Sequence, residues 1–321
     1  MKEFKSFIEA TRYFADEEKC RQYLEEKRWG GIVRCLRCGH AEVMRLGDGK
    51  TYKCKLCRRK FSLTSGTIFE SSKLPLSLWF PAIYLITSKW KGISSVQLAK
   101  DLGVQQTTAW FIAHRVREMI LEKDLGKLGG IVEIDESYVK DGNKHNSNGS
   151  NVRGTQGRSL KVKTPVIALK QRNGKVIVLP IPNAKSETIA PIIEEYVKKG
   201  ATIVTDSCPS YNYLSKGSGY NHVALNHSKG EYVRNGYHTN TVEGFWAYMK
   251  QCLHGIHHWV SSKHLWRYCA EWAFKYNTSA NAKAKNRGKN FERFDAVMDM
   301  FNTRLKFDRL TTYTPDYAIA A

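Results

Sequence analysis

Two short cysteine pairs constrain this chain more than any other feature of it. Cys35 and Cys38 stand in "CLRCGH" and Cys54 and Cys57 in "YKCKLCRRKF", a C-x2-C-x15-C-x2-C pattern with the spacing of structural zinc sites. Each C-x2-C turn offers two thiolates to one ion, so two turns close a tetrahedron and leave no open position for catalysis. One structural Zn2+ and a zinc ribbon over residues 31–66 are expected, the metal holding together a segment too short for a core of its own. Four unrelated buried cysteines would not explain paired spacing amid Lys53, Lys55, Arg58, Arg59 and Lys60. Those basic side chains suit phosphate contact and a solvated face about equally. Cys20, Cys208, Cys252 and Cys269 are scattered singly, which points to packing.

Charge indicates the partner. Lys and Arg outnumber Asp and Glu by 51 to 30, a formal charge of +21, which suits a polyanion, nucleic acid first. A membrane is not expected, because the chain has no apolar run near 18 residues and no leader ending in a small-residue cleavage site. A cytoplasmic location follows as an expectation. At 321 residues with 42% hydrophobic, the chain suits one sizeable core with appended modules.

Residues 1–30 mix apolar and charged positions at helical spacing and stop at Gly30-Gly31, reading as one or two helices. Residues 67–128 read as helical. Within them "GISSVQLAKDLGVQQTTAWFIAHRVREMI" places Val96, Leu98, Ala99, Leu102 and Val104 around Gly103, with a second apolar helix after it. That is a helix-turn-helix pattern, and in such a unit the start of the second helix enters the major groove. Gln105, Gln106, Thr107 and Thr108 are the candidates for base contact; a plain helical hairpin is the alternative.

Past Gly129-Gly130 the period changes. "IVEIDESYV" from Ile131 and "ATIVTD" from Ala201 read as strands, and "TPVIALKQ" and "KVIVLPI" as a hairpin turned at Arg172-Asn173-Gly174. A polar, glycine-rich loop follows the first strand. A helix through Ile189, Ile192, Ile193, Tyr196 and Val197 contains Pro191, tolerable if the helix starts near Thr188. The order strand, strand, strand, helix, strand suits a mixed sheet. A helix from Thr239 or Asn240 buries Val242, Phe245, Trp246, Met249 and Leu253 and leaves Asn240, Glu243 and Lys250 on one stripe.

Acid inside a strand of so basic a chain then has an explanation. Asp135 and Asp206 near the ends of two adjacent strands, with Glu243 on a packed helix, would set three carboxylates around one point. Divalent cations make that tolerable. Oxygen donors suit Mg2+ or Mn2+, and two such ions can drive an in-line displacement at phosphorus. Glu136 points to the opposite face from Asp135, as a salt-bridge or supporting residue; Glu133 shares the face of Asp135, one strand-step too far inside.

The stretches "CLRCGH", "YKCKLCRRKFSLTSGTIFESSKLPLSLWF", "IVEIDESYV", "IVTDSCPSY" and "HTNTVEGFWAYMK" resemble bacterial insertion-sequence transposases of the DDE superfamily, in the ISXO-type group with an N-terminal zinc ribbon. The resemblance runs from about Phe4 to Asn277. It implies an α/β protein with an RNase H-like mixed-sheet catalytic domain over residues 129–280, preceded by the zinc ribbon and the helix-turn-helix region. It implies Asp135, Asp206 and Glu243 as ligands of two Mg2+ or Mn2+ ions, with Lys250 contacting DNA near the scissile phosphate. Some members carry asparagine at the third position, so Asn240 is the alternative to Glu243. The implied activity is binding of terminal inverted repeats, end cleavage and strand transfer into target DNA. Holding two ends requires a homodimer or larger assembly on double-stranded DNA.

Two rival readings are a non-catalytic zinc-ribbon and helix-turn-helix regulator or inactive remnant, and an RNase H-like structure-specific nuclease. Asn277 is followed by Thr-Ser-Ala where the family usually has arginine, and residues 281–321 read as a basic tail with a helix through Val297, Met300 and Leu305. His254, His257 and His258 beside Trp259 suit packing or phosphate contact better than metal. Core packing is the default for the tryptophans, with base stacking the alternative at Trp259.

Overall fold

A computed structural model describes residues 4, 6–121, 125–140, 160, 163–215, 217–280 and 290–302. Most of the glycine-rich loop after the first strand of the mixed sheet, and Leu305, lie outside the described residues. The chain divides into two compact units: residues up to Ile120 with a late helix, and residues from Leu121 through the helix before it.

In the first unit, α1 (Phe7–Phe14) is capped by Ser6 and α2 (Glu17–Trp29) by Asp16, and Gly30 ends α2 in the left-handed region at φ 63°. The ribbon is a three-stranded antiparallel sheet of β1 (Val43–Arg45), β2 (Thr51–Cys54) and β3 (Lys60–Ser62). α3 (Leu76–Ser88), α4 (Ser95–Leu102) and α5 (Gln106–Ile120) follow. α4 ends at Gly103 with φ 66°, the left-handed turn residue of the expected helix-turn-helix. Val96 departs from expectation: it is 54% exposed, because it sits on the outer face of α4 while Leu98 and Ala99 face inward.

α9 (Asn290–Met298) belongs to this unit although it comes late in the chain. Phe291, Phe294, Val297 and Met298 are buried, and Phe294 joins an aromatic cluster with Phe14, Tyr23 and Phe80. Lys27 closes on Asp295 at 2.8 Å and Asp299 at 2.6 Å. The expected tail helix is thus shorter, ending before Met300, and its apolar face completes a core instead of lying on a surface.

The second unit holds a five-stranded mixed sheet in the order β6-β5-β4-β7-β8. Its strands are β4 (Ile131–Lys140), β5 (Lys163–Gln171), β6 (Val176–Pro180), β7 (Thr202–Asp206) and β8 (Asn221–Leu225). β4, β5 and β6 are antiparallel neighbours, while β4, β7 and β8 run parallel. This is the RNase H-like arrangement. The β5–β6 hairpin turns at Asn173 with φ 57°, as Asn-Gly requires.

β8 was not expected from sequence; it is short, lies at the sheet edge and includes polar Asn221 and His222, so alternation was a poor guide. α6 (Ser186–Tyr196) starts two residues earlier than expected and contains Pro191. Pro191 and Glu187, whose carbonyl loses its donor, are both exposed, so the interruption lies on the solvent side of α6, where a proline is tolerated best. α6 packs Ile189, Ile192 and Ile193 with Val132 and Ile134 of β4. The other side of β4 meets α7 (Asn240–Cys252), and α8 (Ser262–Ala280) packs on β6. Among the described residues no helix is long and apolar enough to cross a membrane.

Candidate active site and metal centre

Strand alternation assigns the residues of β4 to two faces. Val132 and Ile134 enter the core with α6, whereas Glu133 and Asp135 face α7, to which both are hydrogen bonded. β4 pairs in parallel with β7 as Ile131↔Thr202, Val132↔Ile203 and Glu133↔Val204. The same offset continued sets Asp135 level with Asp206 on the neighbouring strand, roughly 5 Å away at the backbone.

α7 carries Glu243 and Lys250 on its exposed side, because its buried face, Val242, Phe245, Trp246 and Met249, packs inward. These two stand seven residues apart, about 10 Å along the axis on one side of the helix. Asn240, the first residue of α7, is also exposed.

Burial pushes the Asp135 carboxyl above its usual range, and the charges of Asp206 and Glu243 push it the same way; the Glu136 backbone N–H and the Trp246 indole oppose them. Each of the three carboxylates has a hydrogen-bond donor of its own. Trp246 Nε1 donates to Asp135 Oδ2 at 3.0 Å, the Cys208 N–H donates to Asp206 Oδ1 at 3.1 Å, and the Thr239 hydroxyl donates to Glu243 Oε1 at 2.8 Å. Carboxylate oxygens of this kind suit a hard divalent cation.

The four cysteines form a tighter group, their sulfurs all within 4.8 Å of one another. Cys35–Cys57 and Cys38–Cys54 are each 3.6 Å apart, close to the edge of about 3.8 Å of a tetrahedron with Zn–S bonds of about 2.3 Å. The first knuckle turns with Gly39 at φ 72° and the second with Arg58 at φ 58°. The set fits one zinc ion. At the start of α5, Gln105, Gln106 and Thr107 are exposed and Thr108 is half-buried; Gln106 Nε2 donates to Ser95 Oγ at 2.8 Å, tying the two helices together. His257 and His258 flank the end of a π-helical turn, Leu253–His257, and His258 has φ 60°. Trp259 is 59% exposed, unlike the buried tryptophans of the cores.

Residues 127–277 match the family model described as an ISXO2-like transposase domain, and residues 15–60 the one described as a transposase zinc-ribbon domain. An uncharacterised protein in transposable element ISH50 of Halobacterium salinarum is 31% identical over 268 residues, 79% of this chain and 89% of that protein. The chain belongs to the ISXO2-like transposase family. A transposase-like protein of Haemophilus influenzae is 31% identical to this transposase over 105 residues, 33% of this chain and 83% of that one. A pre-cleavage Mos1 transpososome is similar over 65% of this chain and 72% of its own, at 13% identity and a TM-score of 0.26. That likeness is too distant to bear on individual residues.

Several residues around the transposase's acids escaped sequence reasoning. Tyr211, fully buried, donates its hydroxyl to Glu136, tying β4 to the 3-10 turn Pro209–Ser215 that follows Asp206. Trp246 was read as core only, and Arg172 as a turn residue. Period-two alternation flags the face of a strand residue, but it cannot say which distant donor that residue meets.

Proposed function

We propose that this transposase binds the terminal inverted repeats of its insertion sequence, cleaves the element ends and joins them to target DNA. The observation that carries the reading is the parallel pairing of β4 with β7, whose register continued sets Asp135 beside Asp206, with α7, the helix that carries Glu243, bonded to Asp135 through Trp246. Asp135, Asp206 and Glu243 would hold two Mg2+ or Mn2+ ions. Such ions polarise the scissile phosphate and stabilise charge on the attacking and leaving oxygens.

The protein's own part is orientation. Trp246 fixes the Asp135 carboxylate, the Cys208 N–H fixes Asp206, and Thr239 steadies Glu243. Lys250, exposed two turns beyond Glu243, meets the DNA backbone near the reacting phosphate. Water attacks first and the freed 3′-hydroxyl second, so no protein nucleophile is needed. Gln105, Gln106, Thr107 and Thr108 read bases, the ribbon's Lys55, Arg58, Arg59 and Lys60 are exposed for phosphate, and a net charge of +21 draws both to DNA. Pairing two ends calls for at least a dimer on DNA, acting in the cytoplasm at the nucleoid.

A strand-cleavage and strand-transfer assay on DNA ending in the flanking repeats, with Mg2+ or Mn2+, tests this. Wild type is expected to cut and join, and Asp206→Ala and Glu243→Ala to bind but do neither, while Asn240→Ala retains activity. Wild type that binds without cutting would make the protein a regulator or remnant. Cutting of branched DNA regardless of the repeats would make it a structure-specific nuclease.

A further inference from the structure

Glu133 is completely buried, at 0% exposure, two residues before Asp135 and on the same face of β4. Its carboxylate accepts five hydrogen bonds. Oε1 takes Arg172 Nε at 3.1 Å and Nη2 at 2.9 Å; Oε2 takes the Thr241 N–H at 2.9 Å, the Thr241 hydroxyl at 2.6 Å and the Val242 N–H at 3.1 Å. A carboxylate has about four good acceptor sites, so Glu133 has none left for a metal ion. This separates it from Asp135.

Three of those five donors sit in the first turn of α7, the helix that carries Glu243. A helix usually receives such a cap from the side chain at its own N-cap. Here the N-cap is Thr239, which makes no side-chain cap bond, its hydroxyl instead donating to Glu243 at 2.8 Å. The cap of α7 is thus supplied by β4, the strand that bears Asp135. The negative charge also suits the positive end of the helix.

Arg172 makes the buried charge tenable. It sits in the β5–β6 turn, its N–H donates to the Ile131 carbonyl at 2.9 Å, and its guanidinium also donates to the carbonyls of Gly236 at 3.0 Å and His238 at 3.2 Å. One side chain therefore binds the hairpin turn, β4 and the segment leading into α7.

We infer that Glu133, clamped by Arg172, is a positioning residue that fixes the third acid of the active site relative to the first; this rests on the phosphoryl-transfer reading above. Loss of the clamp frees the first turn of α7, and Glu243 no longer keeps a set distance from Asp135. Misplacement of a catalytic group by about an ångström lowers turnover roughly a hundredfold.

The test compares wild type with Glu133→Gln and with the milder Arg172→Lys, which keeps the charge but loses the two-pronged guanidinium. Amide hydrogen exchange at Thr241 and Val242 is read together with kcat, the KM for repeat-end DNA, and the Mg2+ dependence of both cleavage and melting temperature. Exchange at those two amides is expected to rise at least about tenfold while amides of β4 and β7 stay protected. In cleavage, kcat should fall roughly tenfold to a hundredfold with KM within about twofold, and half-saturation should need more Mg2+. Unchanged exchange at α7, or equal deprotection of the whole sheet, would overturn the inference. So would an unchanged kcat and Mg2+ requirement in a cutting wild type. A wild type that cuts nothing sinks the proposed function, and Glu133's role then stands or falls on exchange and on the Mg2+ shift in melting.

Discussion

The four-cysteine cluster and the three carboxylates proposed for catalysis are set in place by opposite means. The cysteines span residues 35–57, with each pair set by its own tight knuckle, and the sulfurs close to within 4.8 Å. The carboxylates come from residues 135, 206 and 243 on two strands and a helix, and among the described residues only the cysteines close up so tightly. A closed set that local turns assemble suits structure; an open set that a sheet and a helix hold apart leaves room for DNA. The geometry of the cysteines is therefore set locally, whereas that of the acids depends on packing between β4, β7 and α7.

Metal removal should break that comparison most sharply. Chelation, or Cys54→Ser, is expected to unfold β1–β3 at a cost on the order of 10 kcal/mol, while amide protection of the five-stranded sheet persists; loss of the sheet as well would show that the acids depend on the ribbon. Next in size, Asp135→Asn and Asp206→Asn should each lower cleavage by on the order of a thousandfold with repeat-end affinity within about twofold, read by gel cleavage and filter binding. Binding lost in parallel would mean that these acids serve folding instead.

A smaller effect is expected of Trp246→Phe, which keeps the packing of α7 but removes the 3.0 Å donor to Asp135. Turnover should drop roughly tenfold with an unchanged melting temperature, and an unaltered kcat would show that Asp135 needs no such support. The smallest concerns a ribbon turn. Asp48 accepts from the Thr51 hydroxyl and from the Thr51 and Lys50 N–H groups, which hold its carboxyl down to about 2, the Thr51 hydroxyl foremost. Its folded value lies below its ordinary one, so its contribution to the ribbon is present above the ordinary carboxylate range and lost as pH falls toward about 2. In Thr51→Val the Asp48 titration, followed by NMR, should move up; an unmoved titration would leave the backbone donors as sufficient.

Legibility in the sequence followed the range of the cause. The knuckles, the Gly103 turn, the Asn-Gly hairpin and the apolar face of α7 are each set within a few residues, and each stands where its spacing suggested. Pro191 and β8 were harder to read, because exposure decided the first and an edge partner the second. In "IVEIDESYV" alternation separated Glu136 from Asp135, but it could not distinguish Glu133, whose partners lie 39 residues away at Arg172 and 108 at Thr241.

By itself, then, the sequence determined the four-cysteine cluster, the two helices about the Gly103 turn, the strands and helix that carry Asp135, Asp206 and Glu243, and the net charge of +21, because residue type and short spacing carry those signals. Only the tertiary structure decided that β4 and β7 lie in parallel register, that α9 returns to complete the first unit's core, and that Glu133 caps the helix carrying Glu243. Those outcomes depend on burial and pairing between segments far apart in the chain, and no local pattern encodes which distant partner a buried group will meet.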